Sequence, residues 1–194
     1  MNKKIMCLVL MATVVLELAH GGDMSLKTMD QRLDQFKIEL NFQGKIASKE
    51  KPEYVSVAWD LLPVPDELAG WKETSRSKDR VESDTYIGWS FEKCKTHVSI
   101  DIIEMPPAST KAQTEFLDVA NSTSKSELNY QAGPEDLGTV AAVTKGKLSK
   151  SVMWIYRNIF FKISTDTEGF DPLPLAYWMQ KQAEMHVFKI KDEK

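Results

Sequence analysis

Two apolar runs separated by two polar residues constrain the fold of this chain more than any other feature of its sequence. Residues 151–156 and 159–163 are rich in large apolar side chains, and Arg157-Asn158 lies between them. This spacing predicts a two-residue β-hairpin turn in which Asn158 takes the positive φ. Both faces of the two strands are apolar. One face can therefore pack on helices, and the other needs a second cover, a partner or a ligand.

The remaining strands are predicted from alternation and from aromatic content. Residues 93–95 suit a tight connection between two such segments, which predicts a second antiparallel hairpin. Residues 72–83 are charged, and we expect them to form a loop. The predicted strands cover residues 54–59, 84–92, 96–105, 137–145, 151–156 and 159–163.

Three amphipathic helices are predicted from apolar residues that recur every three or four positions. Thr110 to Gln113 has the spacing of a capping box for the second helix, which we expect to end in a loop at residues 121–126. Asp171 and Pro172 mark the start of the third. The helical faces carry Met29, Leu33, Phe36 and Leu40; Ala112, Phe116, Val119 and Ala120; and Leu175, Trp178, Met179, Gln182 and Met185.

The order of these elements is α-β-ββα-βββ-α. It predicts an α+β fold in which an antiparallel β-sheet has helices packed on one face. With 194 residues, 42% hydrophobic and 27% charged, the composition excludes a collagen-like, low-complexity or wholly disordered protein.

The first residues have the pattern of a secretory signal peptide. Lys3 and Lys4 precede an uncharged apolar run, and Ala19-His20-Gly21 provides the small residues that signal peptidase requires. The run is interrupted at Glu17 and is too short for a membrane span. We expect residues 1–21 to be cleaved and the protein to be exported, to the periplasm or the extracellular space.

Export sets the predicted domain organisation. Residues 22–52 would form an amphipathic helix with a polar linker, residues 53–188 a single α+β domain, and residues 189–194 a charged tail. Cys94 would be the one cysteine left, so the core must hold the fold without an intramolecular disulfide. Whether Cys94 pairs between chains stays open, as does glycosylation of the sequon that begins at Asn121.

Charge excludes two classes of partner. The whole chain has a net charge of −3, and loss of the signal leaves 23 basic and 27 acidic residues, a net charge of −4. A mildly acidic chain without a basic block is not typical of proteins that bind nucleic acid or anionic membranes. We therefore expect no nucleic-acid partner and no membrane span after cleavage.

Short motifs mark the opening of the domain and several of its later elements. They are Leu62-Pro63 with Gly70-Trp71, then a strand at residues 98–105 followed by a helix that carries Ala112, then Leu137-Gly138, then the segment WIYRNIF at residues 154–160. Over residues 60–187 this layout resembles that of small exported bacterial proteins of unknown function. The resemblance implies an exported α+β domain and brings no catalytic residues or cofactor.

No readable catalytic or metal motif is present. Cys94 and His97 have the spacing of half a metal site, but a structural zinc site needs four ligands and the mature chain adds only His186. The sequence has no glycine-rich phosphate loop, nucleophile elbow or zinc-protease helix. We predict no catalytic residue, no metal and no cofactor.

The sequence favours a binding function. Trp71 and Trp89 are the aromatic residues predicted to line a groove against the sheet, with Arg76, Arg80 or Arg157 supplying polar contacts. We expect an exported, non-enzymatic module for a protein partner or a small apolar ligand. The alternatives are a structural or assembly subunit of an envelope complex, and an enzyme with an unreadable site.

Overall fold

The architecture was determined from a computed structural model, which describes residues 26–42, 53–107, 109–123, 130–144, 150–167 and 169–189. The predicted signal peptide lies outside the described residues, as do residues 190–194 of the predicted tail.

In the described part of the chain, seven strands form one antiparallel sheet in the order β2-β3-β4-β8-β7-β6-β5, and β1 pairs with β9 in a separate two-stranded sheet. The strands are β1 (Glu53–Val55), β2 (Lys72–Val81), β3 (Asp84–Lys93), β4 (Thr96–Glu104), β5 (Tyr130–Ala132), β6 (Val140–Thr144), β7 (Lys150–Tyr156), β8 (Ile159–Thr165) and β9 (Val187–Lys189). The sheet thus consists of two meanders that meet where β4 pairs with β8.

The described residues also form three helices: α1 (Leu26–Leu40), α2 (Lys111–Thr123) and α3 (Leu173–Glu184). The predicted α+β class and the main order of elements are confirmed. Met29 and Leu33 of α1 are buried in the same core as the sheet. Within the described residues, every helix falls short of the length and apolarity needed to cross a bilayer.

Both faces of the central strands are covered by the chain itself. Phe160 and Phe161 are neighbours on β8 and point to opposite faces of the sheet. Phe160 meets Phe116 of α2, and Phe161 meets Trp59 of the segment after β1, each in an edge-to-face contact. Trp59 therefore covers the β7–β8 hairpin on the face of Phe161, the second face that was predicted to need a cover.

The predicted hairpin between β7 and β8 is confirmed, but the residue with a positive φ is not the predicted one. Arg157 has a φ of 55°, whereas Asn158 is not among the residues with positive φ. A positive φ at the first turn residue alone fits a type II′ turn. The prediction for Asn158 was wrong because its side chain is buried and engaged elsewhere.

The segment predicted to be a charged loop contains a whole strand, β2. With ten residues, β2 is as long as β3, and the other described strands are shorter. Residues 72–81 form β2, which pairs with β3 from Lys72 to Val81 with a bulge between Glu73 and Ser75. β2 lies at the margin of the sheet, and nine of its ten residues are exposed. The backbone of β2 pairs as a strand, but neither face of β2 is buried. Its sequence therefore does not alternate between apolar and polar residues.

Smaller differences concern the ends of elements. Trp59, predicted in a strand, begins a short 3₁₀ turn at Trp59–Leu61. Helix α2 continues to Thr123, through residues predicted as loop, and the Lys111 N–H is capped by the Ser109 hydroxyl at 3.1 Å. The three-residue strands β5 and β9 were not predicted.

Candidate functional site

A cleft of about 390 Å³ lies at the end of the sheet, on the face that Trp59 covers. One wall is formed by residues 54–56, at β1, and another by residues 104–107, at the end of β4. The third wall is the end of the β2–β3 hairpin, with Arg80, Ser83 and Thr85, and Asn158 also lines the space. We call this space the Arg80 cleft.

The Asn158 amide fixes two of these walls to the β7–β8 turn. Its Nδ2 donates to the carbonyl oxygens of Val55, at 3.0 Å, and of Met105, at 2.6 Å. The Val55 N–H donates in turn to Oδ1 at 2.6 Å. Because Asn158 is 6% exposed, these bonds are shielded from water, and the cleft has a rigid base.

The polar groups of the cleft are set by strand register. Arg80 lies opposite Thr85, and Thr85 lies opposite Glu104, so the three side chains share one face of the sheet. The backbones of Arg80 and Glu104 are therefore about 10 Å apart, two strand spacings. The cleft thus presents a cation and a carboxylate on opposite sides.

Glu104 is held by the segment that covers the sheet. Its Oε2 accepts hydrogen bonds from the backbone N–H of Val57, at 3.3 Å, and from Nε1 of Trp59, at 3.2 Å. Both bonds position the segment that carries Trp59, which gives Glu104 a structural role.

Arg80 differs from the other arginines predicted for the site. Its side chain is exposed, and within the described residues it has no hydrogen-bond or ion-pair partner. Its guanidinium can therefore bind an external carboxylate or phosphate without first breaking a native contact.

Trp89 and Arg76 are used inside the fold. Trp89 is fully buried, and the Arg76 guanidinium lies 4.5 Å from the centre of its ring. Arg76 also donates to both carboxylate oxygens of Glu73, at 3.0 and 2.7 Å, and to the carbonyl oxygens of Asp60 and Leu62. These contacts attach the segment at residues 60–62 to β2.

Trp71 and Arg157 do not line the cleft. Trp71 is half-buried and packs edge-to-face on Phe170, with 5.3 Å between ring centres. Arg157 forms an ion pair with Glu53 and lies over the ring of Tyr156. The structure therefore does not gather the five predicted residues in one groove, and Arg80 is the one that lines the cleft.

Sequence reasoning missed Asn158 and Tyr54 as parts of the site. The hydrogen bond between Val55 and Asn158 spans 103 positions in the chain, and no local pattern indicates a contact at that separation. The Arg157-Asn158 pair does signal a turn, which places Asn158 at a strand end.

The residues considered for metal binding or nucleophilic chemistry do not line the cleft. Cys94 is exposed in the β3–β4 turn, and the backbone N–H of His97 donates to Asp166. His186 bonds through Nδ1 to the carbonyl oxygen of Gln182. In the described part of the chain, no group of three or more His, Cys, Asp or Glu side chains is arranged to hold a metal.

Comparison with protein-family models, with curated proteins and with solved structures gives no match to this chain.

Proposed function

We propose that the chain is an exported, non-enzymatic module that binds a protein partner at the Arg80 cleft. The observation that carries this proposal is the guanidinium of Arg80, which lines the cleft and has no partner in the part of the chain that the structure describes. Arginine with free donors is typical of binding surfaces, because its planar fork forms paired hydrogen bonds with carboxylates.

The lining of the cleft favours a protein segment over a small apolar ligand. Small apolar ligands bind in enclosed pockets with mostly apolar walls. The Arg80 cleft is open at the end of the sheet and combines a guanidinium and hydroxyl groups with Val55, Pro106 and Pro107. An extended peptide matches such mixed walls, since its backbone and its side chains both find partners.

Export is supported by the N-terminal sequence pattern of residues 1–21. It is tested by the intact mass of protein recovered from the exported fraction of its source, with the mass of residues 22–194 as the expected result. A mass that includes residues 1–21 would contradict cleavage.

Binding at the cleft is tested by selecting a random-peptide display library on three full-length proteins: wild type, Arg80→Glu and Lys181→Glu. Lys181 is an exposed cation on α3, so its variant makes the same charge change away from the cleft. We expect peptide families that are enriched on wild type and on Lys181→Glu and are lost on Arg80→Glu. Equal enrichment on Arg80→Glu, or no enrichment on wild type, would rule out the proposal.

A further inference from the structure

The hairpin turn at one end of β2 determines which of its backbone groups face solvent. Val81 and Asp84 flank the two-residue turn Glu82-Ser83 and therefore form a hydrogen-bonded pair. Such pairs alternate along an antiparallel ladder. The backbone groups of Val81, Asp79 and Ser77 consequently face β3.

The intervening residues face outward. The N–H and C=O groups of Arg76, Lys78 and Arg80 point away from β3, toward the margin of the sheet. β2 has no second neighbour strand among the described residues. An exposed edge of this kind can accept an additional strand.

The side chains of these outward-facing residues make the edge basic. Arg76, Lys78 and Arg80 alternate with the strand period and so project from one face. The strand sequence KETSRSKDRV contains four basic and two acidic residues, although the whole chain has a net charge of −3.

Part of this charge is already balanced within the chain. Arg76 is paired with Glu73, and Lys78 with Asp60 at 2.8 Å. The hydrogen bond from Lys78 is the main cause of a lowered pKa at Asp60. Among the described residues, Lys72 and Arg80 are the two basic residues of β2 without an ion-pair partner, and Arg80 lies where the edge meets the Arg80 cleft.

A second copy of the chain does not suit this edge. Two β2 strands related by a two-fold axis would place the basic face of one directly opposite the basic face of the other. Like charges at opposed positions destabilise strand pairing. An acidic partner segment meets no such repulsion.

We propose that the β2 edge binds an extended acidic segment of a partner protein by strand addition, with a carboxylate of that segment on Arg80. This inference rests on the proposed function and adds the mode of binding and the chemistry of the partner. Backbone hydrogen bonds to residues 76, 78 and 80 supply affinity, and the cationic side chains supply selectivity.

The test uses a proline that removes one outward N–H. Lys78→Pro leaves the β2–β3 ladder intact, because the Lys78 N–H does not contribute to it, and proline is tolerated at such edge positions. Lys78→Ala is the matched control, since it loses the same side chain and keeps the N–H. The probe is a fluorescent ten-residue peptide of alternating Val and Glu, and its Val-Lys counterpart is the charge control.

We expect wild type and Lys78→Ala to bind the Val-Glu peptide, and Lys78→Pro to bind it at least about tenfold more weakly. The Val-Lys peptide should not bind. Equal binding by Lys78→Pro and Lys78→Ala would overturn strand addition, while loss of binding in Arg80→Glu would still support the cleft. No binding of the Val-Glu peptide by wild type, or equal binding of the Val-Lys peptide, would overturn the inference.

A second measurement does not depend on the folding of the proline variant. Amide hydrogen exchange of wild type with and without the Val-Glu peptide should show new protection at Arg76, Lys78 and Arg80. Unchanged exchange at all three amides under saturating peptide would overturn strand addition.

Discussion

At the scale of single residues, Asn158 has the greatest influence on the site. It joins β1, the end of β4 and the β7–β8 turn through three hydrogen bonds. Buried polar groups that lose their partners each cost about 1–3 kcal/mol. The positions of two walls of the Arg80 cleft therefore depend on this amide group.

We predict that Asn158→Ala lowers the free energy of unfolding by about 2–4 kcal/mol, because Val55 and Met105 lose buried hydrogen-bond partners. Arg157→Ala, in the same turn, should cost about 1 kcal/mol or less, since its ion pair with Glu53 is partly solvated. Urea unfolding of both variants checks this. Similar losses in the two variants would show that the amide has no special role.

Tyr177 gives a prediction about pH. Burial, together with the hydrogen bond that Tyr177 donates to Asp136 at 2.8 Å, raises the pKa of Tyr177 to about 12, from an ordinary value of 10.0. The folded state therefore holds this proton more tightly than the unfolded state. The resulting stabilisation is complete below pH 10.0 and is lost as the pH rises toward the folded-state value.

We expect the stability of wild type to fall more steeply than that of Tyr177→Phe between about pH 9 and about pH 11. Urea unfolding of both proteins at these two pH values measures the difference. A constant difference between them would mean that Tyr177 titrates at its ordinary pKa.

At the scale of elements, the entry into β6 is the most constrained point. Gly138 has a φ of 68°, and a Cβ at this position would lie 2.2 Å from the carbonyl oxygen of Ile155. The same oxygen accepts the Thr139 N–H at 2.7 Å. The added Cβ would collide with the backbone of Ile155, so a side-chain movement cannot relieve the clash.

We predict that Gly138→Ala lowers the free energy of unfolding by more than about 2 kcal/mol. Gly169→Ala is the control, because the nearest atom to its added Cβ is the Thr167 hydroxyl oxygen at 3.7 Å. It should change stability by less than about 0.5 kcal/mol. Thermal or urea unfolding of the two variants separates these cases, and equal effects would contradict the prediction.

The elements differ in how far the sequence predicts them. β7 and β8 are evident because burial on both faces requires large apolar side chains at successive positions. β2 is hidden because it lies at the sheet margin with both faces exposed, where charged residues are as suitable in a strand as in a loop. Pairing with β3 defines this strand, and its own sequence does not signal that pairing.

The sequence also predicts the candidate site only in part. Arg80 was singled out by its charge, but the feature that distinguishes it from Arg76 is the absence of a partner within the described residues. That difference depends on the position of residues 60–62, which local patterns do not reveal. Trp89 was predicted for a groove, whereas its ring is covered by Arg76.

At the scale of the whole molecule, the two meanders share one core. The buried hydrophobic residues of β3, β4, β7 and β8 belong to a single cluster, together with Met29, Trp59 and Met179. The stacked rings of Trp154 and Phe161, with 4.6 Å between their centres, are part of this cluster. The β2 edge therefore belongs to a sheet whose central strands are covered on both faces by other described parts of the chain.

The pairing of β1 with β9 places the strand that precedes the seven-stranded sheet beside the strand that follows it, with Glu53 opposite Lys189. A mechanical load applied between Glu53 and Lys189 would separate this short ribbon one residue pair at a time. The three residues of β9 would be released first, about 10 Å of extended chain, while the seven-stranded sheet stays intact. The ion pair of Glu53 with Arg157 and the hydrogen bonds of Val55 with Asn158 would then carry the tension.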